Sequence, residues 1–294
     1  MSGRKGGCAG VFTSSSHAGH RLVTSNRDIP ATLIGMAAPL ATSRPAAGAP
    51  EHLRRMRLVL YDGLRTTVYV ARYEPARTSV RVALLRRPAP LATWCAARGI
   101  DEALVGGFFT RAGTRPLGEL RTRGMARAST SFDAPWDEVR ACLHIESGRP
   151  RIARRDALPP EPRGDLLQAG PLLVHEGKVA VRAGRDDEGF AAGASQFDSD
   201  ITSGRYPRAA LAVAEDALLA VACDGRSRGD AGLSLVELAR LLAELGAREA
   251  INLDGGGSTS LVCAGELRNR PRADFGVPLP GGRPIATALV FSPR

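Results

Sequence analysis

Residues 217–261 read ALLAVACDGRSRGDAGLSLVELARLLAELGAREAINLDGGGSTSL, and the punctuation of this stretch decides the fold. Leu235, Leu238, Leu241, Leu242 and Leu245 recur at helical spacing and make one apolar stripe. Ser234 precedes the stripe with Glu237 three residues on, the pattern of a reciprocal N-terminal cap, and Gly246 stands at the stop. The spacing predicts a helix over 235–245. On either side, ALLAVAC (217–223) and EAINL (249–253) are short apolar runs, each followed by an aspartate and glycine. Strand, helix and strand in that order predict a crossover unit that places Asp224 and Asp254 at comparable strand ends, where α/β proteins tend to build their sites.

The sharpest chemical signal is INLDGGGSTSL, 251–261. Gly255, Gly256 and Gly257 can turn successive backbone N–H groups toward one point and hold an anion, with Ser258 and Thr259 as further donors. The segment is no P-loop, because the lysine and the required spacing are missing. A bare turn would account for the glycines but not for Asn252 and Asp254, polar side chains flanking the bend beside an apolar strand. Asp-Gly is also a common turn pair, so Asp224 and Asp254 each remain open to a purely local role.

Working outward, RLVLYDGLRTTVYVARY (57–73) is two β-rich runs split by Asp62-Gly63, a hairpin signal. VRVALL (80–85) predicts another strand before prolines break the pattern. ALVGGFF (103–109) is an apolar run whose paired glycines, Gly106 and Gly107, permit a backbone course that side chains would block. Strands are also expected over 139–145 and 172–181, the latter turning at Glu176-Gly177. Residues 1–50 are rich in Gly, Ser, Ala and Pro and read as a flexible leader. The expected class is α/β or α+β, a large mixed sheet with packed helices. Residues 51–99 are expected to be strands packing on a main domain at 100–294.

The string NLDGGGSTSL (252–261) resembles the signature of the phosphodiester glycosidase family. Other segments fit in the same order: GGFF (106–109), AGPLLVHEGK (169–178), RYPRAALAV (205–213), DGR (224–226) and GLSLVELARLLAELG (232–246). The resemblance covers about residues 100–291. It implies a hydrolase that releases a sugar joined through its anomeric oxygen to a phosphodiester. It also implies that Asp254, Asn252, Asp224, Arg226 and Arg208 face a common pocket, with Gly107 and the Gly255–Ser258 loop against the substrate. Two positions depart from the family pattern: Val105 stands where asparagine is usual before GGFF, and Ala209 where threonine is usual after the PR pair.

Physical chemistry is compatible with that class. A glycosidase stabilises an oxocarbenium-like sugar, for which the carboxylate of Asp254 or Asp224 is suited as nucleophile, base or electrostatic partner. A phosphodiester is already a good leaving group and needs little protonation. Arg208, Arg226 and the glycine-loop amides could hold its charge in the transition state. Retention and inversion both stay open, as does the identity of the sugar.

Length and charge limit the rivals. The 294 residues are 44% hydrophobic, enough for a substantial core. Of the net charge of +10, residues 1–100 contribute +11 (15 basic, 4 acidic) and the rest −1 (25 basic, 26 acidic). All 40 basic residues except Lys5 and Lys178 are arginine. Nucleic acid is not the expected partner, although the basic first third keeps a nucleic-acid-associated protein as one alternative. A non-catalytic phosphosugar- or carbohydrate-binding protein on the same fold is the other. Cys8, Cys95, Cys142, Cys223 and Cys263 are odd in number and widely spaced, and read as free thiols. No run approaches the roughly 20 apolar residues of a membrane span. The start lacks the apolar core of a secretion signal, so a cytoplasmic location is expected. His144 and His175 read as strand and hairpin-rim residues. His17 and His20 have metal-like spacing in the leader without ligand partners beyond Cys8. No cofactor is expected, and a divalent cation is weakly suggested only by the acidic groups at 185–188 and 197–205. The oligomeric state is not readable.

Overall fold

The computed structural model describes residues 50–110, 115–191 and 201–294; all of the expected leader but Pro50, with His17, His20 and Cys8, lies outside them, as does part of the acidic 197–205 group. In chain order the elements are β1 (Leu53–Val59), β2 (Arg65–Tyr73), β3 (Thr78–Ala89), α1 (Leu91–Ala96), β4 (Ala103–Val105), β5 (Leu120–Thr122), β6 (Met125–Ala126), α2 (Trp136–Val139), β7 (Ala141–Glu146), β8 (Arg149–Arg154), β9 (Asp165–Gln168), β10 (Leu172–His175), β11 (Lys178–Val179), β12 (Arg208–Ala214), β13 (Leu218–Cys223), α3 (Leu235–Glu244), β14 (Ala247–Asn252), β15 (Leu261–Cys263), β16 (Glu266–Leu267) and β17 (Ile285–Pro293). They form three sheets, ordered β1-β2-β13-β12-β14-β10-β11, β16-β15-β4-β17-β3 and β6-β5-β9-β7-β8. The fold is α+β with packed helices, and every ladder between named strands is antiparallel.

The central strands of the large sheet explain their own sequences. Along β12, Ala209 and Leu211 pack into one core cluster, while Ala210 and Ala212 pack into a second on the opposite face. A sheet buried on both sides reads as a continuous apolar run rather than an alternating one. The second cluster is closed by Leu235, Leu238, Leu241 and Leu242 of α3. Its start is fixed by the capping box: the Ser234 hydroxyl accepts from Glu237 N–H, and Glu237 accepts from Ser234 N–H.

β13 and β14 each pair antiparallel with β12, which lies between them, so the two run in the same direction. The helix α3 is the crossover between them. Arg208 at the start of β12 is level with Cys223, and Ala210 with Asn252. Asp224, Arg208, Asn252 and Asp254 therefore gather at one end of the sheet. The hairpin at Asp62-Gly63 joins β1 to β2, and Glu176-Gly177 joins β10 to β11. The strand expected to stop before the prolines instead runs through Pro88, because β3 is an edge strand where a missing N–H breaks no ladder.

Candidate active site

Two Asp-Gly turns meet at Pro207. After β13 the Gly225 turn packs so closely that a Cβ would lie 2.8 Å from Pro207 N, and after β14 a Cβ on Gly255 would lie 2.8 Å from Pro207 O. Gly256 N–H donates to that same carbonyl at 2.9 Å. Arg226 lies across the second turn, with Nη1 3.0 Å from where a Gly256 Cβ would stand. Its guanidinium donates to Arg272 O at 3.2 Å and pairs with Asp274 at 2.7 Å.

Asp224 is buried, and its Oδ1 accepts from Arg270 N–H at 2.6 Å. Its backbone is held by Thr67 O and the Thr66 hydroxyl. Burial pushes its carboxyl up to about 6; the Asp230 carboxylate adds to this, while the Arg270 N–H and the Arg270 and Arg55 charges oppose it. The group lines a cavity of about 520 Å³ with Arg226, Arg228, Arg270, Arg272, Asp230 and Phe275. Asp230 is itself fixed by Arg57 at 2.6 Å and Thr67 at 2.8 Å. A second cavity of about 570 Å³ contains none of the candidate residues, and there Arg155 and Glu119 form an ion pair.

Asp254 does not line either cavity. Its Oδ1 accepts from Gly255 N–H at 2.9 Å, and its own N–H donates to Gly106 O at 3.0 Å. Burial pushes its carboxyl up to about 6 against the Ser258 hydroxyl, the Arg283 charge and the Gly255 N–H. Among the described residues, four buried side-chain polar atoms without a hydrogen-bond partner fall within nine residues of this loop: Asn252 Oδ1, Asp254 Oδ2, Thr259 Oγ1 and Ser260 Oγ. Each such atom costs about 1–3 kcal/mol, and polar groups left unpaired in one place mark a position kept for function or for bound water.

Other expected site residues are committed within the fold. Gly255 and Gly256 have spent their N–H groups on Asp254 and Pro207, so the three-amide nest is reduced to Gly257 among the glycines. Arg208 is buried and donates to Leu233 O at 3.1 Å and Ile201 O at 2.9 Å, tying the 201–206 segment to the sheet. Asn252 Nδ2 donates to Gly170 O at 2.9 Å. Gly107 N–H donates to the Thr287 hydroxyl at 3.0 Å, and a Cβ there would lie 3.0 Å from Leu167 Cδ1. Val105 and Ala209, the two departures from the family pattern, are wholly buried in the first core cluster.

Arg270, Arg272, Asp230 and Phe275 were missed from sequence. Arg270, Arg272 and Phe275 lie in RNRPRADFG (268–276), an arginine-rich turn in a chain where arginine is everywhere, and Asp230 lies in the SRGD turn (227–230) after DGR. Of the acidic groups considered for a cation, Asp186 caps Phe190 N–H and Asp187 pairs with Arg185. The one grouping of three potential metal ligands among the described residues is elsewhere, at His52, Glu102 and Cys263. Cys95, Cys142, Cys223 and Cys263 are free thiols, all buried. No described helix is long and apolar enough to cross a membrane.

The fold is α+β, and its buried Asp224 shares a cavity wall with four arginines. A sequence model of phosphodiester glycosidases matches residues 98–292, well over half of the chain, and the chain belongs to that family. Among solved structures it is similar to the catalytic domain of zebrafish N-acetylglucosamine-1-phosphodiester alpha-N-acetylglucosaminidase auto-inhibited by its pro-peptide. The TM-score is 0.62 at 17% identity, over 86% of this chain and 87% of that one. It is also similar to a hypothetical protein from Synechocystis (TM-score 0.56, 20% identity), over 84% of this chain but 65% of the length of that one. A putative exported protein from Burkholderia pseudomallei K96243 matches with TM-score 0.57 at 17% identity, over 79% of this chain and 75% of that one. Among curated proteins none matches.

Proposed function

We propose that the protein hydrolyses a sugar 1-phosphodiester at the anomeric carbon, releasing the sugar. The observation that carries this reading is Asp224, a buried carboxyl on the wall of a cavity that four arginines also line. Family membership and the likeness to the zebrafish enzyme's catalytic domain support the same reaction class. The arginines bind the phosphodiester charge, and the ionised Asp224 opposes the positive charge developing at the anomeric carbon. The anomeric C–O bond breaks with its electron pair on the phosphate oxygen, a water oxygen bonds to the carbon, and a water proton is released. Asp254, outside the cavity wall, sets the glycine loop through Gly255 and Ser258, and Arg208 holds the neighbouring segment. The test is incubation with sugar 1-phosphodiesters, including N-acetylglucosamine and glucose forms, followed by mass spectrometry of free sugar. Release lost in Asp224→Asn supports the proposal; binding without release in the wild type favours a non-catalytic phosphosugar-binding protein.

A further inference from the structure

His52, Glu102 and Cys263 are brought together from widely separated parts of the chain. His52 Nε2 lies 3.3 Å from Glu102 Oε2 and 3.2 Å from Cys263 Sγ. Both separations are measured from the same ring nitrogen, and the three potential ligand atoms all lie within 4.8 Å of one another. A cation among the three atoms satisfies all of them. With Zn–N and Zn–O near 2.0–2.2 Å and Zn–S near 2.3 Å, tetrahedral angles put ligand atoms about 3.3–3.6 Å apart, close to the two separations from His52.

We propose that His52 Nε2, Glu102 Oε2 and Cys263 Sγ form a zinc-binding site that clips the large sheet to its five-stranded neighbour. Thiolate, imidazole and carboxylate together select zinc over calcium or magnesium, which favour oxygen alone. A Cys263 thiolate and a Glu102 carboxylate balance the two positive charges, and the half-buried His52 leaves water access to a fourth position. The carboxylate is already oriented: the Tyr73 hydroxyl donates to Oε2 at 2.7 Å and Ala264 N–H to Oε1 at 2.8 Å. Zinc binds the thiolate, so its binding releases the Cys263 thiol proton to solvent. Arg268, the nearby cation, donates to the Cys263 carbonyl at 2.9 Å, pairs with Glu266 at 2.7 Å and favours the Cys263 thiolate.

The site is separate from the candidate active site. β4 starts beside Glu102 and ends beside Gly106, whose carbonyl accepts from Asp254 N–H; β15 runs back from the glycine loop to Cys263. β2 likewise has Thr67 against Asp224 at one end and Tyr73 against Glu102 at the other. The zinc therefore stabilises and does not take part in hydrolysis.

The experiment uses full-length protein stripped with a chelator and titrated with Co²⁺, then with Zn²⁺. Expected are the near-ultraviolet thiolate-to-cobalt band and the visible bands of tetrahedral cobalt, saturating at one equivalent and displaced by zinc. Zinc at 100 times its dissociation constant raises the unfolding midpoint by about 5–10 °C. Cys263→Ser abolishes the thiolate band. Should that variant fail to fold, His52→Ala, at a half-buried position, carries the test by losing both the cobalt spectrum and the zinc-induced shift. The proposal is overturned by the absence of a thiolate band. It is equally overturned by a band that survives both substitutions and disappears in Cys8→Ser, which would place the metal with His17 and His20.

Discussion

Replacing Asp224 by asparagine separates stability from activity. Burial raises this carboxyl from 3.8 to about 6, so the folded state binds its proton more tightly than the unfolded chain does. The sign follows: the unfavourable burial of charge is absent below pH 3.8, develops as pH rises, and is complete above about 6. That interval corresponds to about 3 kcal/mol. Asparagine keeps the oxygen that accepts from Arg270 N–H and never ionises, but its amide nitrogen must find a partner. The net gain above pH 6 is therefore about 1–3 kcal/mol, or roughly 2–10 °C in unfolding midpoint. Thermal unfolding of wild type and Asp224→Asn at pH 4 and pH 8, beside sugar-release assays, reads both effects. The variant is expected to be inactive, more stable at pH 8, and close to wild type at pH 4. An equal effect at both pH values, or destabilisation at pH 8, would refute the assignment of a strained buried charge.

Wild-type turnover should rise with pH through about 6 as Asp224 ionises; a pH–rate profile flat from pH 4 to 8 contradicts this role. Arg270→Ala and Arg272→Ala each remove a charge-assisted contact to phosphate worth about 1.5–3 kcal/mol, raising KM about 10- to 100-fold in steady-state assays. Gly106→Ala puts a Cβ 2.8 Å from the Thr287 backbone and shifts the carbonyl that holds Asp254. The variant should lose activity and lower the urea midpoint, and a neutral result would argue against a fixed glycine loop. Glu188→Ala leaves the N–H groups of Ala141 and Leu172 without an acceptor, an expected cost of about 2–5 kcal/mol by urea unfolding.

What was legible in the sequence was local. The Ser234–Glu237 cap, the leucine stripe and the two Asp-Gly stops depend on neighbours in sequence, and they correctly put Asp224 and Asp254 at the ends of parallel-running strands. Which of the two faces a cavity depends on RNRPRADFG folding back over the first turn, a long-range event with no periodic signature. Arg208 reads like a ligand-binding arginine because its neighbours are Pro207 and a strand, yet the backbone carbonyls of Leu233 and Ile201 hold it. The His52–Glu102–Cys263 grouping has no spacing at all in sequence and exists only because two sheets converge.

The central claim is cleavage at the anomeric carbon, and the most direct measurement is hydrolysis of a sugar 1-phosphodiester in ¹⁸O-water with mass spectrometry of the phosphate monoester. Attack at carbon leaves the original bridging oxygen on phosphorus, so the account predicts an unlabelled phosphate monoester. One ¹⁸O in that product would mean attack at phosphorus and would contradict it.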